Sequence, residues 1–434
     1  MPIRLLEFLG NGGDEMIDIR LIREQCDEVE ARLRTRDRSV DLSKIVSLDE
    51  RRRGLIAEVE SLKAERNRGS QEVARRKKAG EDASPLLSRL SEVSDSISRL
   101  DDRLRETEAE VERLLSLLPN LPHESVPLGA KENNLVLKTV GERPEPGFPI
   151  RHHLEIGEER GFLDFSRAAA IAGARFPMYV GPAARLEMSL IQFMFFHHVE
   201  RGYLPILPPF LANDQSFYVA SQLPKFADDL YRCEKDSLYL NPTAESLLVN
   251  LHRDEILSVD ELPKRYVAYT PCFRREAGSY GEEERGLIRV HQFNKVELFK
   301  FAPPESSYEE LESLILDAES VLQALEMHYR VVLLATEDMA QQSSKTVDLE
   351  VWLPGQGRYY EVSSCSNCEA FQARRGNIRY RPAPKEKPQF VHTLNGSGLA
   401  TSRLMAAILE NNQTGDRRIR VPKVLQPMMK AEVL

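Results

Sequence analysis

From Leu48 the apolar or seam-type positions fall at Leu48, Arg52, Leu55, Val59, Leu62, Arg66, Gly69 and Val73, in alternating steps of four and three. The same beat returns more cleanly at Leu86, Leu90, Val93, Ile97, Leu100, Leu104, Thr107, Val111 and Leu114. A 3.5-residue repeat held for about four heptads is the seam of a coiled coil. Between the two runs lies the short turn Gly80-Glu81-Asp82-Ala83-Ser84-Pro85, so the helices are expected to be antiparallel neighbours, with Ser84 as N-cap and Pro85 as first helical residue. Ser47 with Glu50 has the spacing of a capping box for the first helix. About thirty residues at ~1.5 Å each would project roughly 45 Å, more than a compact domain can enclose. This segment is read as an arm.

The second helix is expected to stop at Leu118, where the proline-rich LPNLPHESVPLG begins. The polar stretch that follows, broken by Pro and Gly up to about His153, reads as a linker. Beyond it a helical pattern, ARLEMSLIQFMFFHHVERGY, gives way to strand candidates YVAYTPCF, IRVHQFNKVELFKF and KTVDLEVWLP, and then to a helix-rich end. That order predicts an α+β fold, an antiparallel sheet flanked by helices. The expected organisation is a disordered extension over 1–15, or a start placed too early given a second Met at Met16, then an arm over 16–120, a linker over 121–153 and a body over 154–434.

Composition narrows the classes. The 434 residues, 41% hydrophobic and 29% charged, are enough for two or three domains with a sizeable core. No apolar run approaches the roughly 18 residues of a membrane span, and the first residues lack a secretory cleavage pattern. A net charge of -9 argues against polyanion binding by the whole surface and leaves it to local basic patches. Five cysteines fit free thiols in a reducing compartment; Cys365 and Cys368 form a lone CxxC, a weak zinc pattern, and no structural zinc is expected. On the arm, Lys63, Arg66, Arg68, Arg75, Arg76, Lys77 and Lys78 make the first helix basic, whereas Asp95, Asp101, Asp102, Glu106, Glu108, Glu110 and Glu112 make the second acidic. Periodicity alone leaves two readings open: a solvated, salt-bridge-laced coiled coil, or a lever that lays a basic stripe on phosphates.

The stretch CFRREAGSYGEEERGLIRVHQFNKVELF, Cys272 to Phe299, carries the candidate chemistry. Alternation puts Arg274 and Glu276 on one face and Arg275 on the other. On the return, Arg289, His291, Phe293, Lys295 and Glu297 share a face, with Val290, Val296 and Leu298 turned to the core. Lys295 and His291 suit a merely solvated face. Yet guanidinium groups fork onto phosphates, aromatic rings stack on bases and carboxylates take amines, the inventory for a nucleotide beside an amino acid. Neither a phosphate-binding P-loop nor a GxGxxG fingerprint is present.

This ribbon resembles motif 2 of the class II aminoacyl-tRNA synthetases in the form used by the seryl-tRNA synthetases. NPTAESLLVN and YYEVSSCSNCEAFQARRGNIRYRP agree, HTLNGSGLATSRLMAAILENNQ resembles motif 3, and GYLPILPPF with Pro209 resembles motif 1, the dimer-forming element. The likeness runs from Met16 across nearly the whole chain, the long arm included. It implies ATP bound by Arg274, Arg275 and Glu276, by Arg289 and Phe293, by Glu361, Val362, Ser363 and Ser364, and by Arg403, with Arg274 and Arg403 catalytic. It implies magnesium on Glu361 and Ser364, and serine lined by Thr243, Ala244, Glu245, Glu297, Asn395 and Ser397. It further implies a cytoplasmic homodimer whose arm, through Lys63, Arg66, Arg75, Arg76, Lys77 and Lys78, grips tRNA(Ser) and the tRNA(Sec) of an organism that has one. The sequence departs from the family pattern at Arg275, where a small residue is usual, and at Ala370, where an acidic one is usual; the GEEER loop is acidic where the tRNA acceptor end should enter. The rival readings are a paralogue without catalysis, against which Arg274, Glu276, Glu361 and Arg403 speak, and relatives that load carrier proteins, which usually lack the arm.

Overall fold

The computed structural model describes residues 17–145, 147–277 and 285–434. The expected extension over 1–15 and most of the GEEER loop lie outside them. The chain divides into two units, one comprising the residues up to Arg34 with Arg38–Leu118, the other Thr35–Asp37 with Pro119–Leu434.

In the first unit two short helices, Ile19–Glu24 and Cys26–Arg34, precede the arm helices α1 (Ser43–Ala79) and α2 (Ser84–Leu117). With 37 residues α1 is about 55 Å long. It starts a turn earlier than expected: Leu42 is its N-cap, without a side-chain bond, so Ser47 and Glu50 are interior and form no capping box. The N-cap of α2 is Ala83 rather than Ser84, and Asp82 Oδ1 accepts from the Ser84 N–H instead. Gly80 at φ +71° closes α1 in the left-handed region, which glycine enters without a Cβ penalty. Leu55, Val59, Val73, Val93, Ile97, Leu100, Thr107 and Val111 are buried, as the heptads require. A Cβ on Gly69 would stand 2.6 Å from Leu90 Cδ2, so this seam position is where the side chain of one helix meets the backbone of the other.

The second unit is built on one eight-stranded sheet. Its strands are β1 (Leu135–Val140), β2 (Leu204–Ile206), β3 (Lys264–Phe273), β4 (Gln292–Ala302), β5 (Tyr329–Leu333), β6 (Lys345–Leu353), β7 (Arg358–Asn367) and β8 (His392–Ala400). Their spatial order is β1-β5-β6-β7-β8-β4-β3-β2, antiparallel throughout except β2 beside β3. Helices α3 (Pro182–Glu200), α4 (Ser307–Ala324) and α5 (Thr401–Asn411) flank it. The expected α+β architecture is present. The segment expected to be linker supplies β1, which pairs with β5 at the sheet edge.

On β4 alternation works as read, but both faces are covered. Val296 and Leu298 join the main core with Leu186, Leu190 and Met194 of α3, while Phe299 and Phe301 join a second cluster with Tyr266 and Ala268. A fully buried side chain such as Leu298 contributes about 2 kcal/mol. Lys295, read as suiting solvent, is only 6% exposed, because its face of the sheet is roofed by the chain around Thr243.

Candidate active site

The strand at the first half of the ribbon ends at Phe273, so the face alternation expected for 274–276 does not apply there. Glu276 has φ +53°, a left-handed conformation that costs a non-glycine residue about 1 kcal/mol or more and is found where function fixes the backbone. This turn lets Glu276 Oε2 accept from Arg289 Nη1 at 2.6 Å, across the base of the loop. Arg274 lies with its guanidinium carbon 5.2 Å from the Phe293 ring centroid, and its Nε donates to the Pro242 carbonyl at 3.3 Å. Arg274, Glu276, Arg289 and Phe293 are thus gathered. Arg275 is turned away, stacked 4.9 Å over Tyr231 and donating to the Leu230 carbonyl, so its large side chain is a brace outside the cluster.

Arg403, in the first turn of α5, donates through Nη1 to the carbonyl and carboxylate of Glu361 on β7, and through Nε to the Ile288 carbonyl. That joins the third motif to the return of the second. Across the β6–β7 register Asp348 faces Ser364 and Glu350 faces Glu361. Asp348 is buried and its Oδ1 has no hydrogen-bond partner among the described residues; burial first, and the Glu361 charge second, push its carboxyl well up. A buried carboxylate oxygen without a donor, beside two more oxygen side chains, suits a hard divalent cation. The sequence reading missed Asp348, although Asp348 and Glu350 alternate within a strand opposite residues it did choose. Of the remaining expected ATP contacts, Val362 is in the hydrophobic core and Ser363 Oγ donates to the Ser397 carbonyl at 2.6 Å, leaving only their backbone for a ligand.

Beside this cluster polar side chains are gathered and buried. Thr243 Oγ1 donates to Glu297 Oε2 at 3.0 Å and accepts from Lys295 Nζ at 2.7 Å, and Lys295 pairs directly with Glu297. Ser397 stands opposite Glu297 in the β8–β4 register. Glu245 Oε1 accepts three amide N–H groups, from Gln372 at 2.7 Å, Gln342 at 3.0 Å and Asn395 at 3.1 Å. Burial, and then the charge of Glu297, push the Glu245 carboxyl up to about 7 against the opposing influence of Lys295 and the amides. Ala244 packs in the second core cluster and offers no functional group. Lys295, Gln342 and Gln372 are pocket residues that sequence reasoning did not select. Cys365 and Cys368 are buried, and Cys368 Sγ accepts from Asn395 at 3.5 Å. Ala370 begins the helix Phe371–Arg375 without a side-chain cap, and the neighbouring Glu369 accepts from Tyr308 at 2.6 Å.

Among the described residues one group of His and carboxylate side chains has the spacing of a metal site, His152, His153 and Glu410. Its atoms are already engaged. His153 Nδ1 meets Glu410 at 2.8 Å, His153 Nε2 accepts the Leu287 N–H, and Glu410 also accepts from the His153 and Gly355 backbones. It ties α5 to the return of the second motif.

On the arm, Lys63, Lys77, Lys78 and Arg75 are exposed, with Arg66 and Arg76 half-buried. Arg75 and Arg76 both donate to Glu72, whose carboxyl they hold at about 2.

Residues 229–412 match the model for the tRNA synthetase class II core domain (G, H, P, S and T), and residues 16–122 match that for the seryl-tRNA synthetase N-terminal domain. The chain is 52% identical to the serine–tRNA ligase of Syntrophobacter fumaroxidans over 95% of its length and 98% of the relative's. Seryl-tRNA synthetase from Pyrococcus horikoshii, solved with ATP, superposes with a TM-score of 0.91 at 37% identity, covering 96% of this chain and 99% of that one. The Naegleria fowleri cytoplasmic serine–tRNA ligase, solved with AMP, gives 0.85 at 27%, covering 96% and 98%. The chain belongs to the seryl-tRNA synthetase family, and its reaction is the ATP-dependent ligation of serine to tRNA.

Proposed function

We propose that the gathered residues divide the reaction as follows. Arg274 and Arg403 neutralise the α-phosphate, Arg289 reaches the outer phosphates, Phe293 stacks on adenine, and Glu276 orients Arg289 and the adenine end. Thr243, Glu245, Glu297, Asn395 and Ser397 hold serine. The observation that carries this reading is the pair of buried carboxylates, Glu245 and Glu297, joined through Thr243, which directly follows the Pro242 whose carbonyl accepts from Arg274.

The carboxylate of serine is already ionised, so its attack on the α-phosphorus needs no general base. Catalysis rests on positioning and on stabilising charge at the five-coordinate phosphorus. Loss of one such contact costs on the order of 3 kcal/mol of transition-state stabilisation. Pyrophosphate leaves to give seryl-adenylate, and a ribose hydroxyl of the tRNA's terminal adenosine then attacks the seryl carbonyl, releasing AMP and its own proton. Asp348, Glu361 and Ser364 would hold magnesium, which when bound neutralises phosphate charge. Arg403 shares its N–H groups with Glu361, so a phosphate competes with that carboxylate for the same donors.

Glu297 and Ser397 are the partners of the serine hydroxyl. Alanine is rejected because their buried polar groups would be left unpaired, and threonine because its methyl has no room. The arm reads the shape and backbone of tRNA(Ser) with its basic helix, and of tRNA(Sec) where one exists. The enzyme is read as a cytoplasmic homodimer; among the described residues no helix is long and apolar enough to cross a membrane. The dimer reading is supported by apolar side chains left exposed along the first motif, Met188, Phe196, Leu204, Leu207 and Phe210, and by β2 at the sheet edge.

Exchange of labelled pyrophosphate into ATP, scanned over twenty amino acids without tRNA, tests the pocket and the nucleotide site together. Exchange with serine alone is expected. Exchange with none would move the chain to the non-catalytic reading.

A further inference from the structure

Thr35–Asp37 belong to the catalytic body although the chain before and after them belongs to the arm unit. Arg36 explains why. Its Nη1 donates to the carbonyls of Asn120 at 2.8 Å, Ser343 at 2.9 Å and Gln341 at 3.3 Å. Its Nη2 donates to Ala340 at 2.7 Å and Met339 at 3.1 Å, and its Nε to Thr336 at 3.4 Å. The loop between β5 and β6 therefore curls around one guanidinium, whose planar fork of donors is met entirely by backbone oxygens. Burial lowers its pKa to about 10, which leaves it charged at neutral pH.

The residue in the middle of that loop is Gln342. Its neighbours Gln341 and Ser343 are held by Arg36, and its own carbonyl accepts from Asn120 Nδ2 at 2.9 Å. With the backbone fixed on both sides, the buried side chain donates through Nε2 to Glu245 Oε1. Elsewhere in the loop the Met339 and Ala340 carbonyls accept from Arg36, and the Ser344 N–H donates to the Asn367 carbonyl.

We propose that Arg36 is a positioning residue for the amino-acid pocket, acting through Gln342 on Glu245. This rests on the reading of Glu245 as a serine-pocket residue. Arg36 touches neither substrate. It sets the loop from which Gln342 orients the carboxylate, so its influence falls on serine and not on ATP.

The test uses the full-length chain in pyrophosphate exchange, with serine and ATP varied separately. Arg36→Ala and Gln342→Ala are each expected to raise the serine KM about tenfold, the worth of one hydrogen bond to a charged acceptor, and to leave the ATP KM unchanged. The double variant should match Gln342→Ala alone, because the two act in series. Where Arg36→Ala does not fold, Arg36→Lys, which keeps the charge but not the planar fork, is measured in its place with the same expectation of a selective rise. Equal increases in both KM values, a lowered melting temperature with both KM values unchanged, or additive effects in the double variant would each overturn the proposal. Glu245→Gln is the control: if it leaves the serine KM unchanged, the pocket reading fails and takes this inference with it. If it raises the serine KM while Arg36→Ala does not, the inference alone fails.

Discussion

Replacing Glu245 by Gln should make the protein more stable at pH 8 while weakening serine binding. The three amide N–H groups on Glu245 Oε1 can all still be accepted by a glutamine carbonyl, so the substitution removes the charge and little else. In the native chain burial and the Glu297 charge hold this carboxyl at about 7, against 4.5 for an ordinary glutamate. Between those values the unfolded chain has released its proton and the folded one has kept it. Wild-type stability must therefore fall as the pH rises from about 4.5 to about 7, and stay lowered above that. A gap of about 2.5 pH units at ~1.4 kcal/mol each gives about 3 kcal/mol at pH 8, and nearly nothing at pH 4.5. Glutamine does not titrate, so the variant lacks this slope. Unfolding of both proteins, followed without substrates from pH 4.5 to 8, should show melting temperatures that separate by a few degrees toward pH 8. Parallel curves across the range would refute the reasoning, since they would mean that Glu245 is ionised in the native state as readily as in the unfolded one.

Deleting Leu48–Leu114 removes most of the arm and should leave serine-dependent pyrophosphate exchange intact while abolishing aminoacylation of tRNA; undiminished charging would count against the basic lever. Glu297→Ala should cost most of the discrimination between serine and alanine in the same exchange assay, on the order of a hundredfold in relative kcat/KM, and selectivity like the wild type's would remove Glu297 from the hydroxyl contact. Asp348→Asn should raise the magnesium concentration giving half-maximal exchange about tenfold, as loss of a partner near a bound metal does; an unchanged requirement would place the cation elsewhere.

The arm was legible because a 3.5-residue beat needs only local sequence: eight of the named heptad positions, Leu55, Val59, Val73, Val93, Ile97, Leu100, Thr107 and Val111, are buried, the others are half-buried, and at the end of α2 burial falls on Leu115 rather than Leu114. The ribbon was legible wherever the chain is extended: Val296 and Leu298 face the main core as alternation requires. At Arg274–Glu276 the expected grouping is present but not by strand alternation: the strand has ended, and Glu276 reaches the cluster through a left-handed turn. It also misjudged Lys295, because which face of a strand is covered depends on distant chain, here Thr243 laid over it. The strand Leu135–Val140 was hidden by its own exposure: it gains its place from pairing with β5, not from an apolar face. Asp348 was within reach of period-two reasoning, but its significance required knowing that Ser364 lies opposite. Gln342 carries no local signal, since its direction is imposed by a cation about three hundred residues earlier in the chain.

The three-residue excursion at Thr35–Asp37 bears on how the two units can be recombined. A gene fragment opening at Pro119 would encode every strand of the sheet, yet leave the carbonyls of Thr336, Met339, Ala340, Gln341 and Ser343 without the cation that organises them. No single cut separates arm from body cleanly. Any lineage that sheds or exchanges the arm must retain this tripeptide on some other scaffold, or find the loop a new counter-group, which makes Arg36 a constraint on modular inheritance as well as on folding.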